Sequence, residues 1–279
     1  MARRTVKKVV TGSTQYDGAG VKLVRVIGKP DVEDFDPFLM LDAFDSEDPE
    51  DYIKGFPWHP HRGIETVTYL IGGEIVHGDS LGNRGAITDG SCQWMTAGSG
   101  ILHQEMPMAS KHMLGAQLWV NLPAKDKMMD PEYRDIKSEM IPEIKGKGAI
   151  VRILSGIYED TKGAVSGDYV KVLYLDVALE PGAIWELTTS DKDNLFIYIV
   201  EGGGYFEEWG EYFERRRAVL FDFGEEIYVK AGTEGMRFLL MAGEPLNEPI
   251  AWGGPIVMNT KEELSQAFKE IDEGTFIKG

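Results

Sequence analysis

The residue types best suited to metal chemistry are concentrated in one stretch of this chain. All five histidines of the 279 residues lie between His59 and His112. One residue separates His59 from His61 in FPWHPHRGIE, and one separates His103 from Glu105 in GSGILHQEMP. Because side chains at i and i+2 project from the same face of a β-strand, each pair offers two ligands on one face. Two such strands facing each other would present three imidazoles and one carboxylate to one ion.

A set of imidazole nitrogens with one carboxylate suits a divalent first-row metal, and Fe, Mn, Ni, Cu and Zn all remain candidates. A lone histidine on a strand is more often structural than a ligand, but the clustering of two alternating pairs favours a metal site. The pattern contains no thiolate, which favours an open catalytic site over a cysteine-rich structural zinc site.

The residues around the two pairs have plainer structural interpretations. His77 and His112 fit neither pair and are expected in loops or at strand edges. Cys92, the only cysteine, excludes an intrachain disulfide and is expected as a small buried residue. Several larger apolar side chains near the second pair are expected to line the barrel or its core: Trp94, Met95, Met106 and Met108.

The charge of the chain limits its partners. Acidic residues outnumber basic ones 46 to 29, which gives a net charge of −17. Direct nucleic-acid binding is therefore not expected, because it requires Lys and Arg to displace phosphate counterions. The segment ARRTVKK and Arg215–Arg217 are expected to be solvated surface. The start lacks the apolar region of a secretory signal, and no run is long enough to span a bilayer, so we expect a cytoplasmic protein without membrane contact.

The chain reads as many short strands punctuated by glycine, proline, Asn and Asp, which is typical of a β-sandwich or barrel. Two segments of the first half each resemble a segment of the second half: ETVTYLIGGEI resembles NLFIYIVEGGGYF, and GSCQWMTAGSGI resembles RRRAVLFDFGEEIYVKAG. We predict two similar β-domains that meet near residue 140, joined by a polar connector at about 130–148. The acidic segments EDFDPFLMLDAF and DSEDPEDY are predicted to be surface loops.

One helix is clear near the end of the chain, in NTKEELSQAFKEIDEGTF. Thr260 and Glu263 have the spacing of a capping box. Leu264, Phe268 and Ile271 share one face, which we expect to dock on the barrel. The glycine at 274 is a plausible stop.

The motifs around the histidines resemble those of a known superfamily. The run from Gly55 to Gly72 has the form G-x3-H-x-H-x3-E-x6-G and resembles the first cupin motif, while GSCQWMTAGSGILH resembles the second. More narrowly, the chain resembles the pirin family from DPFLMLDAF to the tail helix. The segments that carry this likeness are HPHRGIETVTYLIGG, QWMTAGSGILHQEMP, AQLWVNLP and GEPLNEPIAWGGPIVMNTKEE.

The resemblance implies an all-β chain of two cupin domains, which are jelly-roll-like β-barrels, with a short C-terminal helix. The N-terminal cupin, residues 1–140, is expected to bind the metal. The C-terminal cupin, residues 141–279, is expected to lack a metal site and to include the tail helix at about 260–273. By pirin likeness the metal ligands are His59, His61, His103 and Glu105. Ordinary cupins instead use the motif glutamate, here Glu65, which is the alternative fourth ligand or an acceptor for a ligand imidazole.

The resemblance also implies a reaction and a competing role. Some pirins act as quercetin 2,3-dioxygenases, which open a flavonol ring with O2 and release carbon monoxide. In that case Glu105 would be the catalytic base for the flavonol 3-hydroxyl, the metal would be Fe(II), and the partners would be a small aromatic substrate and O2. The alternative is an iron- or redox-responsive regulatory protein that binds a transcription factor or a metabolic enzyme. We expect a monomer, because the chain already pairs two barrels.

Overall fold

A computed structural model describes residues 2–278 of the chain. Within that range the strands, in chain order, are β1 (Val6–Thr11), β2 (Ser13–Asp17), β3 (Val21–Ile27), β4 (Phe38–Ser46), β5 (Phe56–His61), β6 (Ile64–Gly72), β7 (Glu74–Asp79), β8 (Arg84–Ile87), β9 (Cys92–Thr96), β10 (Ile101–Met108), β11 (Met113–Asn121), β12 (Glu132–Ile136), β13 (Glu143–Gly146), β14 (Ala149–Ser155), β15 (Ile157–Tyr158), β16 (Thr161–Lys162), β17 (Val172–Leu179), β18 (Ile184–Thr188), β19 (Asn194–Tyr205), β20 (Phe213–Glu214), β21 (Arg217–Phe221), β22 (Glu226–Gly243), β23 (Ala251–Gly253) and β24 (Ile256–Met258). The α-helices are α1 (Val32–Phe35) and α2 (Lys261–Asp272).

The elements form two compact units, each built from three separate segments of the chain. We call residues 13–30, 38–138 and 246–278 the histidine unit, and residues 2–12, 31–37 and 139–245 the second unit. These units differ from the predicted ranges at both ends of the chain. Strand β1 pairs with β21 of the second unit. The tail, which was assigned to the C-terminal cupin, packs its own apolar cluster inside the histidine unit.

The histidine unit contains two main antiparallel sheets. One has the strand order β12-β9-β6-β11-β4-β3-β2 and the other the order β5-β10-β7-β8. Thr68 on β6 and Gln117 on β11 both donate to the carboxylate of Glu105 on β10. Side chains from the two sheets therefore meet between their inner faces, as in a sandwich.

The second unit is dominated by one large sheet. Its order is β1-β21-β19-β22-β17-β14-β13, with β18 paired to β22 and β20 to β19. The run β21-β19-β22-β17 repeats the order β9-β6-β11-β4 of the histidine unit, and the two predicted echoes fall on β6 with β19 and on β9 with β21. The prediction of two similar β-domains is therefore confirmed. The core of the second unit is apolar throughout and includes Trp185, Phe206 and Phe238.

The prediction that EDFDPFLMLDAF forms a surface loop is wrong. Residues Phe38–Ser46 form β4, which lies between β3 and β11 in the larger sheet of the histidine unit. Its apolar residues are buried, and Asp42 is buried beside Arg25, whose guanidinium donates to both carboxylate oxygens at 2.9 and 2.7 Å. A strand buried on both faces lacks the regular polar–apolar alternation of a half-buried strand, so alternation does not identify β4.

The tail helix is confirmed with its predicted cap. Thr260 accepts from the backbone N–H of Glu263 at 3.1 Å, and the Glu263 carboxylate accepts from the backbone of Thr260 at 2.9 Å. Leu264 and Ile271 pack against the tail cluster, whereas Phe268 is 41% exposed. Among residues 2–278 no helix is long and apolar enough to cross a membrane.

The basic segment at the start of the chain is only partly solvated. Arg4 is buried and donates to Thr189 and to the backbone carbonyls of Ser190 and Asp222. Burial lowers the pKa of this guanidinium, and the nearby charges of Asp193 and Asp191 oppose that effect. Arg4 therefore ties the first segment into the second unit and is not available to a polyanion.

Replacing Phe238 by Ala should destabilise the second unit by about 3–5 kcal/mol, because deletion of a buried ring leaves a cavity. The ring is fully buried and lies 5.6 Å from the ring of Trp185, measured between centroids. Thermal unfolding followed by circular dichroism measures the loss. Phe223→Ala is the matched control, because that ring is 59% exposed. Equal stability of the two variants would contradict the packed core.

Candidate metal centre

Three imidazoles converge inside the histidine unit. The ligand atoms of His59, His61 and His103 all lie within 4.8 Å of one another. His59 and His61 lie on β5 and His103 on β10, and the register of these two strands places His103 opposite His59. Strand β5 is an edge strand, which is where Pro57 and Pro60 are tolerated because no ladder partner needs their missing N–H groups. The period-two pattern thus delivers the histidines from two adjacent strands of one sheet.

The contacts of Nδ1 in His59 and His61 indicate which ring nitrogen carries a proton. Nδ1 of His59 lies 2.8 Å from the carbonyl oxygen of Pro57, and Nδ1 of His61 lies 3.2 Å from that of Pro255. A carbonyl only accepts, so each Nδ1 carries a proton and Nε2 is the ring atom left to face a metal. The two Nε2 atoms are 3.0 Å apart. Two lone pairs at that distance repel unless positive charge lies between them.

His103 strengthens the case for a cation. The side chain is 1% exposed, and neither of its ring nitrogens has a hydrogen-bond partner among residues 2–278. A buried polar group without a partner is costly, and coordination to a metal ion would give such a nitrogen a partner. Burial, together with the charges of neighbouring histidines, lowers the pKa of His61 and of His103 well below the usual value. Both rings are therefore neutral, as metal ligands must be.

Glu105 lies beside the histidines with its carboxylate already engaged. Gln117 donates to its two oxygens at 3.1 and 2.9 Å, and Thr68 donates to Oε1 at 3.1 Å. The β5–β10 register shifts between His103 and Glu105 through an extra residue on β5, while β10 pairs regularly with β7, so Glu105 stays on the same face of β10 as His103. Burial raises the pKa of Glu105, while His59 and the two donors oppose that rise. The carboxylate is outside the 4.8 Å imidazole group but lines the same cavity as His59 and His61.

Glu65 occupies a different environment. It lies on β6 opposite Thr96 of β9, and the Thr96 hydroxyl donates to its Oε1 at 2.7 Å. The sequence suggested that an unbroken strand would aim Glu65 with His61. The structure breaks that strand at Gly63, which has φ of +77°, and β5 and β6 belong to different sheets. Glu65 is absent from the lining of the histidine cavity.

The cavity next to the imidazoles has a volume of about 550 Å³, within the usual range for small-molecule sites. Its walls include the rings of Trp58, Trp119 and Trp252. The ring of Trp119 lies 5.0 Å from that of His61 and 5.9 Å from that of Trp252, centroid to centroid. An aromatic series therefore runs from a histidine along the cavity wall.

Several of these wall and support residues were not predicted. Gln117 and Trp119 alternate on β11, and the indole N–H of Trp119 donates to Gln117 at 3.2 Å. The same period-two spacing that identified the histidines is present in AQLWVN, and it was a usable signal. Trp252 and Pro255 gave no such signal, because they come from the distant tail.

The remaining sequence predictions had mixed outcomes. Cys92 is buried in β9, as expected, and burial raises its thiol pKa. His112 lies in a loop, 2.8 Å from Asp45, which confirms its expected place. His77, by contrast, does not lie in the loop or strand edge expected for it. It is 2% exposed on β7, an inner strand, and contacts the Tyr133 hydroxyl. The side chains of Trp94 and Met95 are buried, whereas Met108 is 47% exposed because it ends β10.

The fold and the site together define a class of protein. Two units share a strand order, and one of them carries an imidazole cluster on the paired strands β5 and β10, as in a chain of two cupin domains. Comparison with known families agrees with this class. The family described as Pirin matches residues 20–120, and the Pirin C-terminal cupin domain matches residues 174–277.

The chain belongs to the pirin family. Human pirin is 40% identical to it over 268 residues, which cover 94% of this chain and 90% of the human protein. A Pseudomonas aeruginosa protein, provisionally named a quercetin 2,3-dioxygenase, is 44% identical over 280 residues and 97% of each chain. The crystal structure of a quercetin 2,3-dioxygenase from Acinetobacter baumannii matches with a TM-score of 0.89 and 32% identity over 99% of both chains. The predicted fold of two cupin domains is confirmed.

Replacing His103 by Ala should reduce metal content to below a tenth of that of the parent protein, because it removes one of three converging nitrogens. Elemental analysis of purified protein after loading with Fe(II), Mn(II) or Ni(II) measures the loss. His112→Ala is the control, since that ring is half-exposed and pairs with Asp45 outside the cluster. Equal metal content in the two variants would contradict the assignment of the cluster as a metal centre.

Proposed function

We propose that this protein is a metal-dependent dioxygenase that cleaves a flavonol or a similar planar enolisable compound. The observation that carries the proposal is the geometry of one cavity. It brings together two tautomer-fixed imidazoles, the Glu105 carboxylate and a wall of tryptophan rings. The relatives named quercetin 2,3-dioxygenases support the reaction type.

The proposed metal ligands are His59, His61, His103 and Glu105. The three imidazoles converge, and their donor atoms suit a first-row ion, for which we propose Fe(II). When bound, such an ion supplies Lewis acidity toward an enolate oxygen and one-electron chemistry toward dioxygen. The hydrogen bonds from Nδ1 of His59 and His61 to backbone carbonyls orient the two rings and raise their basicity.

Glu105 is the proposed base. Its carboxylate lines the cavity, where it would accept the proton of the flavonol 3-hydroxyl. Burial raises its proton affinity, whereas the donors Gln117 and Thr68 favour its ionised form and hold its plane. In the overall reaction both atoms of O2 enter the ring-opened product, and one ring carbon leaves as carbon monoxide.

The cavity walls select for a flat aromatic molecule. Trp119 and Trp252 line the cavity, and an aromatic ligand packed against either ring gains stacking energy beyond simple burial. The cavity also includes Lys29, whose ammonium donates to the backbone carbonyl of Trp252 at 3.1 Å. That contact holds the Trp252 hairpin at the cavity edge.

Replacing Glu105 by Gln should lower flavonol turnover by about 100-fold or more, because the amide cannot take the hydroxyl proton. Oxygen uptake and carbon monoxide release with quercetin measure turnover, normalised to bound metal. Glu65→Gln is the matched control, since Glu65 lies outside the cavity. A larger loss in the Glu65 variant would transfer the role to that residue. No turnover of any flavonol by the metal-loaded parent protein would overturn the proposed function.

Replacing Trp252 by Ala should weaken flavonol binding by about 3- to 10-fold, which is the loss expected for one aromatic stacking contact. Anaerobic titration of quercetin, followed by its absorbance, measures binding without turnover. Trp209→Ala is the control, because that ring is 93% exposed and lies in the second unit. If both variants bind like the parent protein, the tryptophan wall does not contact the substrate.

A further inference from the structure

The tail of the chain, residues 246–278, contacts the metal centre through one of its ligands. The carbonyl oxygen of Pro255 accepts from Nδ1 of His61 at 3.2 Å and so fixes the tautomer of that ring. Two residues further on, the backbone N–H of Val257 donates to the carbonyl of Arg62 at 3.1 Å. A parallel bridge between Arg62 and Ile256 continues this contact. The segment that carries His61 is therefore paired directly with the tail.

The side chain of Arg62 extends the contact to the end of the tail. It is 2% exposed, and its Nε donates to the carbonyl of Ser99 at 2.6 Å. Its Nη2 donates to the carbonyl of Phe276 at 2.9 Å and lies 2.8 Å from Glu270 of α2. The guanidinium also lies 4.2 Å from the centre of the Phe276 ring. A buried guanidinium is stable only with such partners, and most of these partners come from the tail.

Lys127 makes a second buried connection. Its ammonium donates to the carbonyl of Gly63 at 2.8 Å, to the carbonyl of Val257 at 3.1 Å and to the side chain of Asn121 at 2.7 Å. These three acceptors match the three N–H donors of the ammonium form, while burial lowers the pKa of this group to about 7. The backbones approach so closely that a Cβ at Gly63 would lie 2.0 Å from the Val257 oxygen. The turn after His61 is thus held to the tail both by direct backbone contact and through Lys127.

We propose that the tail is a clamp on the metal centre, with Arg62 as its positioning residue. Docking of the tail supplies the Pro255 carbonyl that orients His61, and a metal on His61 in turn favours the docked tail. This inference rests on the metal-binding part of the proposed function and does not depend on the dioxygenase reaction. Partners behind a metal ligand commonly change metal affinity by about 10- to 100-fold. The coupling is reciprocal by thermodynamic linkage.

The test uses variants that change no ligand. Glu270→Gln removes the carboxylate partner of Arg62, and Phe276→Leu removes the ring under it. Glu273→Gln is the matched control on the same helix, since Glu273 is 53% exposed and pairs only at 3.8 Å with Lys269. Cobalt(II) is the probe, because its visible absorption bands report the ligand geometry. Competition with a chelator gives its dissociation constant.

We expect the Glu270 and Phe276 variants to bind cobalt about 10-fold more weakly than the parent protein, with shifted absorption bands, while Glu273→Gln matches the parent. Hydrogen exchange should show that cobalt protects amides of residues 251–276 in the parent protein and protects them less in the two variants. Circular dichroism confirms that each metal-free variant is folded.

Three results would overturn the clamp. One is parent-like affinity and absorption bands in both tail variants, and another is tail exchange that does not respond to cobalt. In either case the parent protein still binds metal, so the proposed function stands. A parent protein that binds no cobalt would overturn the clamp and the metal centre together. If Phe276→Leu fails to fold, the Glu270→Gln result alone tests the clamp, because that substitution preserves the size of the side chain.

Discussion

The close approach of two imidazole nitrogens is the constraint on which the histidine unit depends. His59 and His61 each commit one ring nitrogen to a backbone carbonyl, so their lone pairs face each other across 3.0 Å. That arrangement is unfavourable by itself and favourable around a cation. The orientation of both rings therefore depends on a backbone that holds the Pro57 and Pro255 carbonyls in place.

The backbone around the histidines contains features that would interrupt a regular β-sheet. Strand β5 carries two prolines, Gly63 adopts a left-handed turn, and the pairing of β5 with β10 shifts register before Glu105. Each feature interrupts regular pairing close to the histidines. The edge position of β5 tolerates its prolines, and the Gly63 turn separates the histidine strand from Glu65. Irregularities of this kind concentrate at functional sites because they orient groups that regular strands would misdirect.

The second unit shows that the fold alone does not make a site. It repeats the strand order β9-β6-β11-β4 as β21-β19-β22-β17, yet its interior is filled by a continuous apolar cluster. No histidine occurs in any of its three segments. The shared strand order therefore accompanies an apolar core in one unit and an imidazole-lined cavity in the other, and the site depends on which side chains the strands carry.

The sequence by itself determined the strand-rich fold, the capped tail helix and the histidine pairs. Those features depend on local spacing: period two for His59, His61 and His103, and the three-residue interval of Thr260 and Glu263. Local spacing misjudged β4, whose burial on two faces removes alternation, and His77, which is covered by neighbouring strands. The family resemblance already favoured Glu105 over Glu65, and the tertiary structure shows which of the two carboxylates lines the cavity. Only the tertiary structure brought the tail to His61. The reason is physical, since contacts between residues nearly two hundred positions apart depend on chain packing and leave no periodic trace in either segment.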